Sequence, residues 1–134
     1  MAQQLQAAAT LKVEIQPCLR DIWNNHVLFV GPRVSGIVDF GAMRYDNVAA
    51  DISRLLASMA GSDQAAWHTG LAAYQSVRPL SEAEQSLVAA FDRSSLLMAG
   101  LQWVDWIYDA HRLFDDQQAI LARVDRLLMR LEQL

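Results

Sequence analysis

The chain has 134 residues, is 53% hydrophobic with four tryptophans, and carries a net charge of −4; this length suits one domain burying roughly two-thirds of its unfolded surface, and the composition argues against disorder. Its eleven basic side chains are one lysine, Lys12, and ten scattered arginines, so a nucleic-acid partner has no electrostatic footprint, and no apolar run reaches the length of a membrane span. The single cysteine, Cys18, excludes an internal disulfide and fits a reducing, cytoplasmic setting, and MAQQLQAAAT lacks the charged-then-apolar order of a signal peptide.

Residues 3 to 12, QQLQAAATLK, are good helix formers and read as the end of a helix. Val13 to Ile15 alternates apolar and charged like a short strand, which Pro17 ends. A loop follows over Asp21 to His26. Strands are expected near Val27 to Val30 and Val34 to Val38, joined by a tight turn at Gly31-Pro32. Both are mostly apolar, which predicts a hairpin covered on one face by helices. Ala42 to Asp46 reads as a loop. Asn47 suits an N-cap; Val48, Ile52, Leu55, Leu56 and Met59 then recur at helical spacing until Gly61.

A second helix is expected over 63–76, with Trp67, Leu71 and Tyr74 on one side, and Arg78-Pro79-Leu80 breaks the pattern. Ser81 with Glu84 forms a capping box. The helical pattern it opens runs to Leu113, with a break expected around Asp92 to Ser95 or a weak point at Gly100. Asp115 or Asp116 caps a last helix, whose stripe is Ile120, Leu121, Val124, Leu127, Leu128 and Leu131. The expected fold class is α+β, mostly helical: a single domain over 1–134 with one small hairpin followed by four or five helices.

The chemistry-bearing stretch is Leu19 to Asp51. Leu19-Arg20-Asp21 opens it, and Asp39-Phe40-Gly41 follows the hairpin, eighteen residues after Asp21. An aspartate before a hairpin and a DFG aspartate after it is the order of parts in a phosphoryl-transfer site. One carboxylate accepts the proton of the attacking hydroxyl. The other holds magnesium, a hard cation that neutralises the transferring group through oxygen ligands. The two carboxylates are expected to converge on one cleft.

These residues resemble the C-terminal lobe of the aminoglycoside phosphotransferase and choline kinase-like family, distant relatives of the protein kinases, from about Val13 onward. The resemblance implies a kinase-like C-lobe. It also implies Asp21 as catalytic base, Asp39 as metal ligand, Mg2+ and ATP as cofactors, and a small-molecule hydroxyl as acceptor. Asp51 falls on the family's aspartate at the start of the next helix. The family's asparagine five residues after the base is His26 here, and its histidine two residues before the base is Leu19. His26 is thus the candidate on the metal and cofactor side, although magnesium prefers oxygen. Asn24 and Asn25 stand beside that position, out of register; Asn25 and Asp51 are expected to support the site.

Kinases of this superfamily hold ATP phosphates with a Gly-rich loop and a lysine on an N-terminal lobe. The twenty residues before Asp21 contain no glycine, so the expectation is a C-lobe whose N-lobe is absent. Two functions follow: a small-molecule phosphotransferase portion, or a non-catalytic relic or interaction module that needs a separate N-lobe. Either way, apolar groups around Ile15, Trp23 and Phe40 are expected to be uncovered, favouring self-association or a partner there. Cys18 is expected only to pack. Trp103, Trp106 and Tyr108, with Asp105, Asp109 and His111, crowd one helix. They can line a pocket for a cation, but a core stripe with a solvated face is the simpler reading.

Overall fold

A computed structural model describes residues 2–132 of the chain as an α+β, mostly helical protein. Its elements are α1 (Ala2–Ala8), β1 (Gln16–Cys18), a 3₁₀ turn (Asn24–His26), β2 (Val27–Val30), β3 (Arg33–Ile37), β4 (Arg44–Asp46), α2 (Ala49–Ala60), α3 (Gln64–Gln75), α4 (Glu82–Val104), a π-helical turn (Asp105–Asp109) and α5 (Gln117–Leu131). Packing divides the chain into two compact units, Ala2–Asp92 and the residues from Arg93 onward.

The first unit carries two antiparallel strand pairs. β2 and β3 form the expected hairpin, with Val27 opposite Ile37 and Val30 opposite Arg33. Gly31 has φ +58°, and proline fixes a negative φ at the next position, so the two-residue loop follows the II′ pattern that matches strand twist. Leu28 faces Gly36 and Phe29 faces Val34. Ser35 is therefore the extra residue of a β-bulge.

β1 pairs with β4, Gln16 opposite Asp46 and Cys18 opposite Arg44. Here the structure corrects two expectations. The strand lies at 16–18, not 13–15, with Pro17 inside it opposite Tyr45. Proline is tolerated in so short an edge ladder, which can draw its bonds from the flanking pairs. The segment ahead of Asn47 is also no simple loop: Arg44–Asp46 is the strand that β1 pairs with.

The core of this unit is Val48, Ala49, Ile52, Leu80 and Val88, with Leu56, Trp67, Leu71, Tyr74, Leu87 and Phe91 packed against it. α2 and α3 approach closely at Gly70, where a Cβ would fall 2.4 Å from a Leu56 methyl. Gly61, at φ +55°, ends α2 as expected. Asn47 sits just ahead of α2, and its side-chain oxygen accepts from the Ala49 amide at 2.9 Å. The capping box is present: Ser81 Oγ accepts from the Glu84 amide, and Glu84 Oε2 accepts from the Ser81 amide. Buried Glu84 also pairs with Arg78 at 2.9 Å. That guanidinium, aided by the Ser81 amide and hydroxyl, lowers the Glu84 pKa from the usual carboxylate range against the effect of burial.

The hairpin is not covered as expected. Val27 is buried, but Phe29 and Val30 are 51% and 72% exposed, and Leu28, Val34 and Ile37 are exposed too. Val27 and Phe29 alternate onto one side of β2 and Leu28 and Val30 onto the other, and only Val27 is covered, so neither face of the ribbon is buried along its length.

α4 runs without the break expected at Asp92 to Ser95 or Gly100. Its helix formers outweigh one glycine, whose cost is about 1 kcal/mol. In the second unit Gly100 lets Leu131 of α5 come close, and Asp116 caps α5 by accepting from the Ala119 amide. Trp103 is buried, with Trp106 edge-on at 5.1 Å and Phe114 at 5.7 Å. The cation over the Trp106 ring is the chain's own Arg112, 4.7 Å from its centre.

Candidate active site

The loop from Leu19 to His26 is held by one face of α2. Asp51, Arg54 and Ser58 are spaced three and four apart and so lie on one side of the helix. The Asp51 carboxylate accepts from the Leu19 and Arg20 amides, both at 2.7 Å. Arg54 pairs with Asp21 Oδ1. Ser58 Oγ accepts from the Asn24 amide at 2.9 Å. Asp51 also sits in the first turn of α2, where a negative charge is favoured.

The bend before Asp21 is costly. Arg20 has φ +67°, a left-handed conformation that disfavours any side chain with a Cβ, by roughly 1–2 kcal/mol. Its amide is clamped by Asp51, and its guanidinium pairs with Asp46 at the end of β4. Cys18, at the end of β1, is buried and donates to the Asp46 carbonyl. Burial first, then the Asp51 and Asp46 carboxylates, push its thiol pKa up, so it packs as an inert thiol.

His26 links the loop to the DFG segment. Its Nδ1 lies 2.8 Å from the Asp21 carbonyl, its Nε2 lies 2.7 Å from the Trp23 indole nitrogen, and Nε2 is 3.7 Å from Asp39 Oδ2. The backbone closes the same link, since the Val38 amide donates to the His26 carbonyl at 3.0 Å. Asp39 also takes a left-handed φ, +65°, which turns the chain out of β3. Its carboxylate is 58% exposed. Asn25 lies in the 3₁₀ turn and is exposed; it is Asn24, through its amide, that touches α2.

Asp39 suits magnesium, which is commonly held by one or two carboxylates, waters and substrate phosphates rather than by a protein cage. Among the described residues no cluster of three or more His, Cys, Asp or Glu side chains surrounds a point, and that mode of binding requires none. His26 suits it less, because its Nε2 lone pair already accepts from Trp23.

Four residues in this arrangement, Arg20, Trp23, Arg54 and Ser58, were not singled out as site residues from the sequence. The polar 51, 54, 58 spacing, on a helix whose other residues except Ser53 are apolar, was the available signal for two of them. The apolar groups expected to be uncovered here are so: Ile15 and Phe40 are 66% and 53% exposed, and Trp23 is partly so.

A family model described as the phosphotransferase enzyme family matches residues 1–87, well over half the chain. The chain is 34% identical over 93 residues to proteins named homoserine kinase from Agrobacterium fabrum and Rhizobium johnstonii, covering 65% of this chain and 29% of each relative. It is 30% identical over 92 residues to the homoserine kinase of Methylocella silvestris. The chain therefore spans less than a third of the length of the curated relatives it matches. No solved structure is a significant match. The matched region contains the LRD and DFG segments and the helix that clamps the LRD loop, and the chain belongs to the phosphotransferase enzyme family.

Proposed function

We propose that this chain is the C-lobe portion of a small-molecule kinase, moving a phosphoryl group from ATP to a hydroxyl. The observation that carries the reading is the double clamp on the loop, Asp51 on the Leu19 and Arg20 amides and His26 between Asp21 and Asp39. Positioning of this kind supplies most of the catalysis in phosphoryl transfer. Asp21 is the general base. Arg54 engages its Oδ1, and we assign proton acceptance to Oδ2. Asp39 holds Mg2+, which when bound neutralises the charge of the transferring group. Asp51 sets the loop, and His26 spaces the two aspartates rather than ligating metal. The relatives' name makes homoserine the first acceptor to test.

The test is a phosphotransfer assay on the chain joined to, or mixed with, an ATP-binding N-lobe. Asp21→Asn should lower kcat by about 10²–10⁴-fold, and Asp39→Asn should raise the magnesium requirement. Full activity in both variants would sink the reading. No phosphotransfer from the wild-type assembly would favour the second reading, a non-catalytic interaction module, which the exposed apolar hairpin also supports.

A further inference from the structure

The backbone of Asp21 is held on both sides. Just ahead of it, the Asp51 carboxylate accepts from the Arg20 amide. Behind it, the Asp21 carbonyl accepts from His26 Nδ1 at 2.8 Å. What remains free is the side chain, which has three staggered wells at χ1. Among the described residues one of its two oxygens is engaged: Oδ1, by Arg54. Arg54 itself stands on a fixed footing. It lies on α2 three residues after Asp51 and four before Ser58, and both of those hold the same loop from the same side of the helix. The Arg54–Asp21 pair is about half-exposed at each end, 51% and 44%, so it adds little to stability. Its effect lies in direction: it decides which oxygen of Asp21 is left open.

We propose that Arg54 is the positioning residue of the general base: its guanidinium pins Oδ1 of Asp21 and so turns Oδ2 toward the acceptor hydroxyl. This role rests on the assignment of Asp21 as base, proposed above. In the transfer the acceptor oxygen bonds to phosphorus, the bond from phosphorus to the donor oxygen breaks, and the hydroxyl proton passes to Oδ2. A carboxylate free to rotate spends part of its time with neither lone pair on that proton, and a misplacement of about 1 Å can cost about 10²-fold in rate. Arg54 touches the base and acts through it. Its loss should therefore fall on kcat rather than KM, and should have no effect where the base is already gone.

The test compares wild type, Arg54→Met, Asp21→Asn and the double variant, each assembled with an ATP-binding N-lobe, and adds spectra of the isotope-labelled chain alone. Arg54→Met keeps a long side chain and removes every donor. Its kcat should fall about 10–100-fold, with KM little changed and the urea midpoint almost unmoved. In the Asp21→Asn background the same substitution should cost nothing further. In the labelled chain, three-bond couplings from the Asp21 carboxyl carbon to its backbone nitrogen and carbonyl carbon report χ1. They should give one rotamer in the wild type and an average in Arg54→Met. Averaging already in the wild type, or a single rotamer kept in Arg54→Met, would overturn the proposal. So would a loss that persists in the Asp21→Asn background, or one matched by a fall in the urea midpoint. Full activity in Arg54→Met with Asp21→Asn impaired would remove the role of Arg54 and leave the base. Full activity in Asp21→Asn, or no phosphotransfer from the wild-type assembly, would remove the base, and the role of Arg54 with it.

Discussion

Removing the Asp51 carboxylate should loosen the loop that carries Asp21 and weaken the fold around it. In Asp51→Ala two amides lose an ionised acceptor at 2.7 Å each. A hydrogen bond to a charged group contributes about 1.5–3 kcal/mol. The Leu19 amide is part-buried and loses nearly all of that, whereas the exposed Arg20 amide can turn to water and loses little. The carboxylate also sits in the first turn of α2, where it stabilises the helix by about 0.3–1 kcal/mol. The expected loss is about 2–4 kcal/mol in urea unfolding at neutral pH. Asp51→Asn keeps one acceptor oxygen but turns its NH2 group toward the other amide, so it should lose about half as much. Amide exchange gives the local reading, with Leu19 and Arg20 losing protection in Asp51→Ala ahead of the α2 interior. A change below about 0.5 kcal/mol, with Leu19 protection intact, would refute the clamp.

Glu84 should make part of the stability depend on acid pH. Its folded pKa is depressed, chiefly by Arg78, so its contribution is full above its unfolded value of about 4.3 and is lost as pH falls through the lower folded value. Glu84→Gln should therefore cost about 1–3 kcal/mol at pH 7 and little once the acid limb is passed; a cost equal at both ends would contradict the assignment. Cys18, buried and with its pKa raised, should react with a thiol reagent at neutral pH only as fast as the chain opens. Rapid stoichiometric labelling of the folded protein would contradict its packing.

The helices were legible because their signals are local. Gly61, the Ser81–Glu84 box and the Ile52, Leu55, Leu56 spacing each act within a turn or two, and the structure has each in its expected place. Apart from the break expected in α4, the errors came where the partner is distant in sequence. Arg44–Asp46 is a strand only because Gln16–Cys18 pairs with it, and three residues carry too little alternation to announce that. The apolar hairpin suggested cover, but periodicity cannot say whether another element arrives to supply it. At the candidate site, the aspartates were visible through their spacing and their company. Trp23 was not, because its contribution is the direction of one N–H bond. Arg54 and Ser58 lie off the apolar stripe of their helix, on a side that periodicity alone leaves to solvent, although that side faces the loop.

The left-handed backbone at Arg20 and Asp39 bears on how this chain would respond to selection. At most such positions glycine is the more stable choice, since it has no Cβ to strain. Here glycine would relax the main chain but delete the guanidinium that holds Asp46 and the carboxylate beside His26. A screen that rewards folded protein alone would be drawn toward glycine at Asp39, while a screen for phosphotransfer would reject it if Asp39 holds the cation as proposed. Comparing the two screens residue by residue would thus mark the positions where the chain gives up stability for chemistry.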